Sequence, residues 1–190
     1  MVEVNMEQLI KQIEQWASDR NIIKGSKPID QAMKLFSEFG ELADNVGKGR
    51  DIKDDCGDIF IVLTIISSQF KDGLMEKVCN ESYLPFIDWA EDQKPECVCN
   101  LKDLVVMLLR DLSILAQNLD TYDISDEVYS CVVCLKRIAE LSETTLEECV
   151  QLAYDDIKHR KGIMINGVFI KESDPVYAQV ISEIEGNYNA

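Results

Sequence analysis

The sequence has little positive charge and a single histidine, and both shortages exclude classes of function. Nineteen lysine and arginine residues face 35 acidic ones, a formal net charge of −16, so no nucleic-acid partner is expected. The lone histidine, His159, lies in the charged run KHRK and is expected at the surface. It leaves no credible Ser–His or Cys–His nucleophile pair and disfavours hydrolases that need several histidine ligands. The GxxxxGK(S/T) loop of P-loop kinases and ATPases is missing as well.

Long apolar segments and secretion signals are also lacking. The N-terminal stretch MVEVNMEQLIKQIEQW has no basic region followed by an apolar one, so we expect no signal peptide. The longest strongly apolar run, IFIVLTII (59–66), is far shorter than the roughly 20 residues of a membrane span. We therefore expect a soluble, cytoplasmic protein without a membrane partner.

The seven cysteines are an odd number without a secretory context and are expected to be reduced thiols. Cys97, Cys99, Cys131 and Cys134 form two close pairs that could build a four-thiolate zinc site. Cys131 and Cys134 also fit an apolar helical pattern, VYSCVVCLKRI, in which small buried thiols are the simpler interpretation. The sequence favours the second interpretation and leaves the first open.

Helical periodicity dominates the chain and predicts an all-α helical bundle with a short C-terminal β-hairpin. The predicted helices lie near 5–20, 28–47, 52–71, 74–92, 101–119, 124–141 and 145–160. Residues 21–28 are predicted to be a loop, Pro28 to begin the second helix and Asp51 to cap the third, which should be the buried centre of the bundle. Asn-Gly within IMINGVFI is the hairpin signal.

A shift of 73 positions aligns the chain with itself and predicts two similar helical units, a probable internal duplication. The aligned stretches are WASD (16–19) with WAED (89–92), LADN (42–45) with LAQN (115–118) and, after one deleted residue, DIKDD (51–55) with DISDE (123–127). A single domain over 1–190 would contain a unit with an acidic site at 5–71, a degenerate unit at 82–141, and a final helix and hairpin tail at 145–190.

Two pairs of acidic residues border apolar runs in the second and third predicted helices. Glu38 and Glu41 share one helix face, as do Asp55 and Asp58, and a short turn joins the two helices into an antiparallel hairpin. Four carboxylates could therefore converge around a hard divalent cation, Mg²⁺ or Mn²⁺, with Gly57 allowing the two helices to approach closely. The alternative is an ordinary solvated acidic face. Their counterparts in the second unit are Asp111, Ile114, Glu127 and Ser130, which suggests one working site per chain.

The pattern Glu38-x-x-Glu41 followed by Asp55-x-x-Asp58 resembles the ExxE…ExxD signature of the MazG-like all-α nucleoside triphosphate pyrophosphatases. The resemblance includes IEQWASDR, KLFSEFGEL, GDIFIVL and AYDDIKHRKGIMINGVFIKESD. It implies that the four acids bind Mg²⁺ and that a nucleoside triphosphate is cleaved to monophosphate and pyrophosphate. Water would attack the α-phosphorus, with Glu38 or Glu41 as the base. Asp55 stands where the pattern usually has Glu.

Several basic and aromatic residues are candidates for binding the substrate: Lys34, Trp16, Lys158, Arg160 and Lys161. The four cations could equally be ordinary surface charges, and Trp16 could be a core residue. In the final helix the family's N-x-K-F-x-x-R pattern keeps Arg160, whereas Tyr154 and Asp156 replace its Asn and Lys, so the mode of phosphate contact is open.

Three functions are compatible with these features. The first is a Mg²⁺-dependent nucleoside triphosphate pyrophosphatase, and the second is a non-catalytic acidic helical protein that engages a basic partner. The third is another metal-dependent phosphohydrolase on the same bundle, such as one preferring dUTP or dCTP. The duplication would allow a pseudo-dimeric monomer, and a homodimer is the alternative.

Overall fold

The computed structural model describes residues 5–80, 82–83, 100–121 and 123–188, with side chains through residue 183. This part of the chain is mostly helical and has one short antiparallel hairpin near its C-terminal end, so the all-α fold class is confirmed. The elements are α1 (Met6–Asp19), α2 (Ile22–Gly25), α3 (Pro28–Lys48), α4 (Lys53–Phe70), α5 (Leu74–Cys79), α6 (Leu101–Gln117), α7 (Ser125–Leu141), α8 (Leu146–Ile157), β1 (Gly162–Ile165), β2 (Val168–Lys171) and α9 (Tyr177–Tyr188).

Local sequence determines where the two central helices begin and end. Pro28 occupies the first turn of α3, and the Asp30 carboxylate accepts a hydrogen bond of 2.8 Å from the Lys27 backbone. Gly49 ends α3 in the left-handed conformation, at φ 65°. The prediction for Asp51 was wrong by one residue, because Ile52 is the capping residue of α4. The Asp51 carboxylate nevertheless accepts a hydrogen bond of 3.0 Å from the Lys53 backbone.

Helix α4 is the buried centre of the bundle, as predicted, and it packs most extensively against α8. Gly57 is the point of closest approach. A Cβ atom there would lie 2.3 Å from the Cys149 carbonyl oxygen and 2.6 Å from the Ala153 Cβ. The glycine therefore admits α8, and the prediction that it serves the α3–α4 contact was wrong.

The region between α1 and α3 differs from the predicted loop, because residues 22–25 form the one-turn helix α2. The hairpin docks on this region. The Gly167 amide donates to the Gly25 carbonyl at 2.9 Å, and the Met164 amide donates to the Arg20 carbonyl at 2.8 Å. The Asn21 side chain adds a bond of 2.9 Å to the Met164 carbonyl. A short helix with these backbone partners is stabilised by tertiary contacts, which local periodicity does not reveal.

Two further predictions concern the middle and the end of the chain. Helix α5 ends at Cys79, and Asn80, Ser82 and Tyr83 are not helical, so the prediction of one continuous helix over 74–92 was wrong; residues 84–92 lie outside the described residues. Helix α9 was not predicted. Across the described ranges, no helix combines the length and apolarity that crossing a membrane requires.

The α3–α4 and α6–α7 hairpins have matching local geometry. The Asn45 amide donates to the Asp55 carboxylate at 2.8 Å, and the Asn118 amide donates to the Glu127 carboxylate at 2.6 Å. Ile52 and Ile124, the two capping residues, have φ and ψ of −124° and 8°, and of −123° and 19°. These are aligned positions of the predicted repeat. The duplication itself stays a prediction, and its match at 89–92 lies outside the described residues.

Cys131 and Cys134 are buried free thiols on α7. The zinc alternative also needed Cys97 and Cys99, which lie outside the described residues. His159 is exposed, as expected.

Candidate functional site

The four predicted acidic residues lie on the α3–α4 hairpin, and burial distinguishes them. Glu38 is 3% exposed and Asp55 is 7% exposed, although both carry a carboxyl group. Asp58 is half-buried and Glu41 is exposed. Burial of two acids at one helix hairpin is unusual, because an ionised carboxylate loses its hydration unless hydrogen bonds or cations replace the water.

Lys34 supplies the compensating charge for Glu38. The two side chains are one helical turn apart on α3, and the Lys34 ammonium forms an ion pair with the Glu38 carboxylate. The lysine side chain remains 59% exposed, whereas that of Glu38 is 4% exposed. Lys34 was predicted to contact phosphate, and the structure places its ammonium beside the acidic residues.

Asp55 has one hydrogen-bond donor and several negative neighbours. Burial raises the pKa of its carboxyl, the bond from Asn45 opposes this shift, and the nearby charges of Asp54, Glu41 and Glu38 raise the pKa further. The two predicted acids of α3 therefore act electrostatically on the first predicted acid of α4.

Asp58 has the most perturbed carboxyl of the site. Burial, followed by the charges of Glu38 and Asp54, raises its pKa from 3.8 to about 7, while Lys34 and Arg160 partly offset the shift. Among the described residues Asp58 has neither a hydrogen bond nor an ion pair. Its carboxylate thus lacks a hydrogen-bond donor, although it lies beside the negative charges of Glu38 and Asp54.

Asp54 is a member of the site that sequence reasoning missed. Partial burial and the nearby Asp156 carboxylate on α8 raise the pKa of the Asp54 carboxyl, and the Arg160 guanidinium lowers it. Asp54 stands in the first turn of α4, where acidic residues are common in any helix. The signal that could have identified it is its position next to Asp55. Its proximity to α8 depends on long-range packing.

The carboxylates of the four predicted ligands have the chemistry that a hard cation requires, although their side chains do not surround a common cation position. Carboxylate oxygens are the ligands that Mg²⁺ and Mn²⁺ prefer, and a cation would relieve the excess negative charge that raises the Asp55 and Asp58 pKa values. Within the described ranges, however, no three His, Cys, Asp or Glu side chains lie close enough together to hold an ion as they stand. The residues fit the ion by chemistry and burial, and rotamer changes would have to complete the coordination.

The C-terminal end of α8 brings basic residues towards the acidic hairpin. The Arg160 guanidinium forms an ion pair with Asp156 and lies near enough to lower the pKa of Asp58. Lys158 and Lys161 instead form ion pairs with Asp155, at 2.7 Å, and with Glu172, at 3.4 Å. Of these three predicted substrate ligands, Arg160 is the one whose charge is seen to act on the predicted metal ligands.

Trp16 is on α1 and contacts the end of α8. Its indole Nε1 donates a hydrogen bond of 3.0 Å to the Ile157 carbonyl, and the Arg20 guanidinium lies 4.9 Å from the ring centroid. The ring also packs against the hydrophobic core. These contacts give Trp16 a structural role, while base stacking by Trp16 stays a prediction.

The fold and the site together define the class: an all-α protein with a carboxylate-rich helix hairpin at its core margin. No family model matches the chain, and no solved structure matches it. The chain is similar to the "Uncharacterized 18.2 kDa protein in rep-hol intergenic region" of Haemophilus phage HP1 (strain HP1c1). The two are 33% identical over 159 residues, which cover 78% of this chain and 98% of the phage protein. The chain belongs to the family of this phage protein. These comparisons give the MazG-like resemblance no support, so that assignment stays a prediction.

Proposed function

We propose that the protein is a cytoplasmic, Mg²⁺-dependent nucleoside triphosphate pyrophosphatase that hydrolyses (d)NTP to (d)NMP and pyrophosphate. The observation that carries the proposal is the α3–α4 hairpin, where Glu38 and Asp55 are buried and the pKa of Asp58 is raised to about 7. Carboxyl groups with strongly perturbed pKa values at the margin of an apolar core are typical of functional sites. The proposal also draws on the sequence resemblance.

The proposed ligands are Glu38, Glu41, Asp55 and Asp58, with Mg²⁺ as the cofactor and Mn²⁺ as a substitute. When bound, the cation would offset the charge of the phosphate oxygens and lower the pKa of a coordinated water. Glu38 or Glu41 would orient the water for attack at the α-phosphorus and accept its proton. Glu41 is the more accessible of the two, whereas Glu38 is already held by Lys34.

The basic residues would act on the phosphates. Because Lys34 is exposed and adjacent to Glu38, its ammonium can turn from the carboxylate to a phosphate oxygen without a backbone movement. Arg160 could contact a second phosphate from α8, since its charge already acts on Asp58. Lys158 and Lys161 remain candidates that would first have to leave their present ion pairs. The nucleobase preference stays open.

A non-catalytic acidic protein that engages a basic partner is the second candidate. It is favoured by the net charge of −16 and by the absence, among the described residues, of a ready set of three metal ligands. The hydrolase remains the better proposal because a basic partner needs exposed acids, and Glu38 and Asp55 are buried.

The test is a pyrophosphate-release assay on the full chain with all canonical and several modified triphosphates, in Mg²⁺ or in EDTA. We expect Mg²⁺-dependent release, and Glu41→Gln should reduce kcat by at least about 100-fold, or roughly 2.7 kcal/mol, because its charge is removed and its shape kept. The control is Glu140→Gln, at an exposed position on α7, which should leave the rate unchanged. An unaltered rate in a folded Glu41→Gln variant would refute the site, and no release from any triphosphate would refute the activity.

A further inference from the structure

Helices α3 and α6 each expose a line of uncharged side chains with heptad spacing. On α3 the line consists of Ile29, Met33, Phe36, Gly40, Ala43 and Gly47, and on α6 of Val106, Leu109, Ser113 and Ala116; Ala43 and Ala116 are half-buried and the others are exposed. We call these residues together the α3/α6 face. Met33 is 57% exposed and Val106 is 67% exposed. Steps of four and three residues keep such positions on one side of a helix, which is the spacing that helices use to pack against one another.

The two lines occur at matching positions of the predicted repeat. With the shift of 73, Met33 aligns with Val106 and Phe36 with Leu109, while Gly40 and Ala43 align with Ser113 and Ala116. Ile29 and Gly47 align at this shift with charged residues, Lys102 and Asp120. Both units therefore expose large apolar residues towards the helix start and small residues towards its end.

The two helices that carry these lines, α3 and α6, are neighbours in the bundle. Helix α3 packs beside α4 and α6, and α7 packs beside the same two helices, so the four form a bundle in which α3 and α6 are one neighbouring pair and α4 and α7 are the other. The pair α4 and α7 is covered by α1, α2, α5 and α8. Of the described elements, only α4 and α6 pack extensively on α3, and only α3 and α7 on α6. Within the described ranges, therefore, no other element covers the α3/α6 face.

The glycines of α3 have no explanation within the described structure. A Cβ atom at Gly40 or Gly47 would meet nothing within 4 Å, in contrast to Gly57, where it would clash with α8. Glycine inside an exposed helix is unfavourable relative to alanine because it increases the entropy lost on folding. The close approach of a second backbone at Gly40 and Gly47 would explain why glycine occupies these two positions.

We propose that the α3/α6 face binds a second copy of this chain, forming a symmetric dimer. The face is repeated within one chain, so two copies can meet through the same surface around a two-fold axis, as closed dimers do. Helices of 21 and 17 residues, side by side about 10 Å apart, offer an area on the order of the 800 Å² per partner in a standard interface. The large exposed side chains of this face, Met33 and Val106 among them, are apolar, so pairing would bury apolar surface.

The experiment is sedimentation equilibrium of the full chain over a dilution series, independent of any activity. The wild type should have twice the chain mass of 21.6 kDa and dissociate on dilution. The double variant Met33→Glu/Val106→Glu should raise the dissociation constant at least about 100-fold. The control, Leu141→Glu/Leu152→Glu, changes two similarly exposed leucines on α7 and α8 and should dimerise like the wild type.

A second variant separates folding from association. Gly40→Gln places a side chain where the single chain has open space, so its helical circular dichroism should be unchanged while its dissociation constant rises at least about tenfold. A wild type that keeps one chain mass up to about 1 mM would overturn the proposal. So would a dimer that survives Met33→Glu/Val106→Glu, or one that only the control variant disrupts.

Discussion

The raised pKa of Asp58 makes a quantitative prediction about stability in the absence of metal. The pKa of this carboxyl rises from 3.8 to about 7 on folding, chiefly through burial and then through the charges of Glu38 and Asp54. The folded chain therefore binds more protons at this position than the unfolded chain between these pH values. The stability associated with the protonated carboxyl is complete below pH 3.8 and is lost as the pH rises through about 7.

The magnitude follows from the shift and from the remaining exposure of Asp58. A difference of about three pKa units corresponds to about 4 kcal/mol at 1.36 kcal/mol per unit. Asp58 keeps contact with solvent, and water screens its interactions with Glu38 and Asp54, so we expect an effect of about 2 kcal/mol.

The perturbation is Asp58→Asn, which keeps the shape of the side chain and cannot ionise. In urea unfolding in EDTA, the variant should be more stable than the wild type by about 2 kcal/mol at pH 8 and by a smaller margin at pH 5, which lies between the two pKa values. The control is Asp120→Asn, at an exposed position, which should leave the difference between the two pH values unchanged. If wild type and Asp58→Asn lose the same free energy between pH 5 and pH 8, the description of a crowded, desolvated carboxyl is refuted.

Two further predictions concern the packing and hydrogen bonding around the hairpin. Gly57→Ala should destabilise the protein by about 2–3 kcal/mol in urea unfolding, because its Cβ would lie 2.3 Å from the backbone oxygen of Cys149; a neutral effect would contradict the close α4–α8 contact. Asn45→Ala should lower the free energy of unfolding by about 1–2 kcal/mol at pH 8 and by less at pH 4, where protonation of Asp55 weakens the lost hydrogen bond. Equal losses at both pH values would contradict this role of the Asn45–Asp55 bond. Asn118→Ala, at the end of α6, is the matched comparison.

Sequence reasoning was most successful where local chemistry determines the structure. Pro28 and Gly49 delimit α3, and the apolar run 59–66 identifies α4 as the buried helix. The Asn-Gly pair predicts the hairpin, which pairs Ile165 with Val168 around it. In each case the residues that decide the conformation lie within a few positions of the element they define.

Long-range packing accounts for the differences. Helix α2 is only one turn long and is held by the hairpin, which comes from the other end of the chain. Gly57 was correctly recognised as a point of close approach, but its partner is Cys149 on α8, and no local pattern identifies a partner helix. For the same reason the contribution of Asp54 was missed, since it depends on Asp156.

The candidate site was predictable to the level of helix faces and no further. Residue spacing placed Glu38 and Glu41 on one face of α3, and Asp55 and Asp58 on one face of α4, and the structure keeps them electrostatically coupled. Spacing could not reveal that Glu38 is buried whereas Glu41 is exposed. Those outcomes depend on side-chain rotamers and on the approach of α8, which determine whether carboxylates converge.

The most direct test of the central claim is calorimetric titration of the metal-free protein with Mg²⁺ at pH 8. If the carboxylates of α3 and α4 form one cation site, the wild type should bind Mg²⁺ saturably, and Asp58→Asn should weaken binding at least about tenfold while leaving the helical signal intact. Binding by the wild type should also weaken at pH 5, where Asp58 is largely protonated. No saturable binding below about 10 mM, or equal binding by Asp58→Asn, would contradict the account.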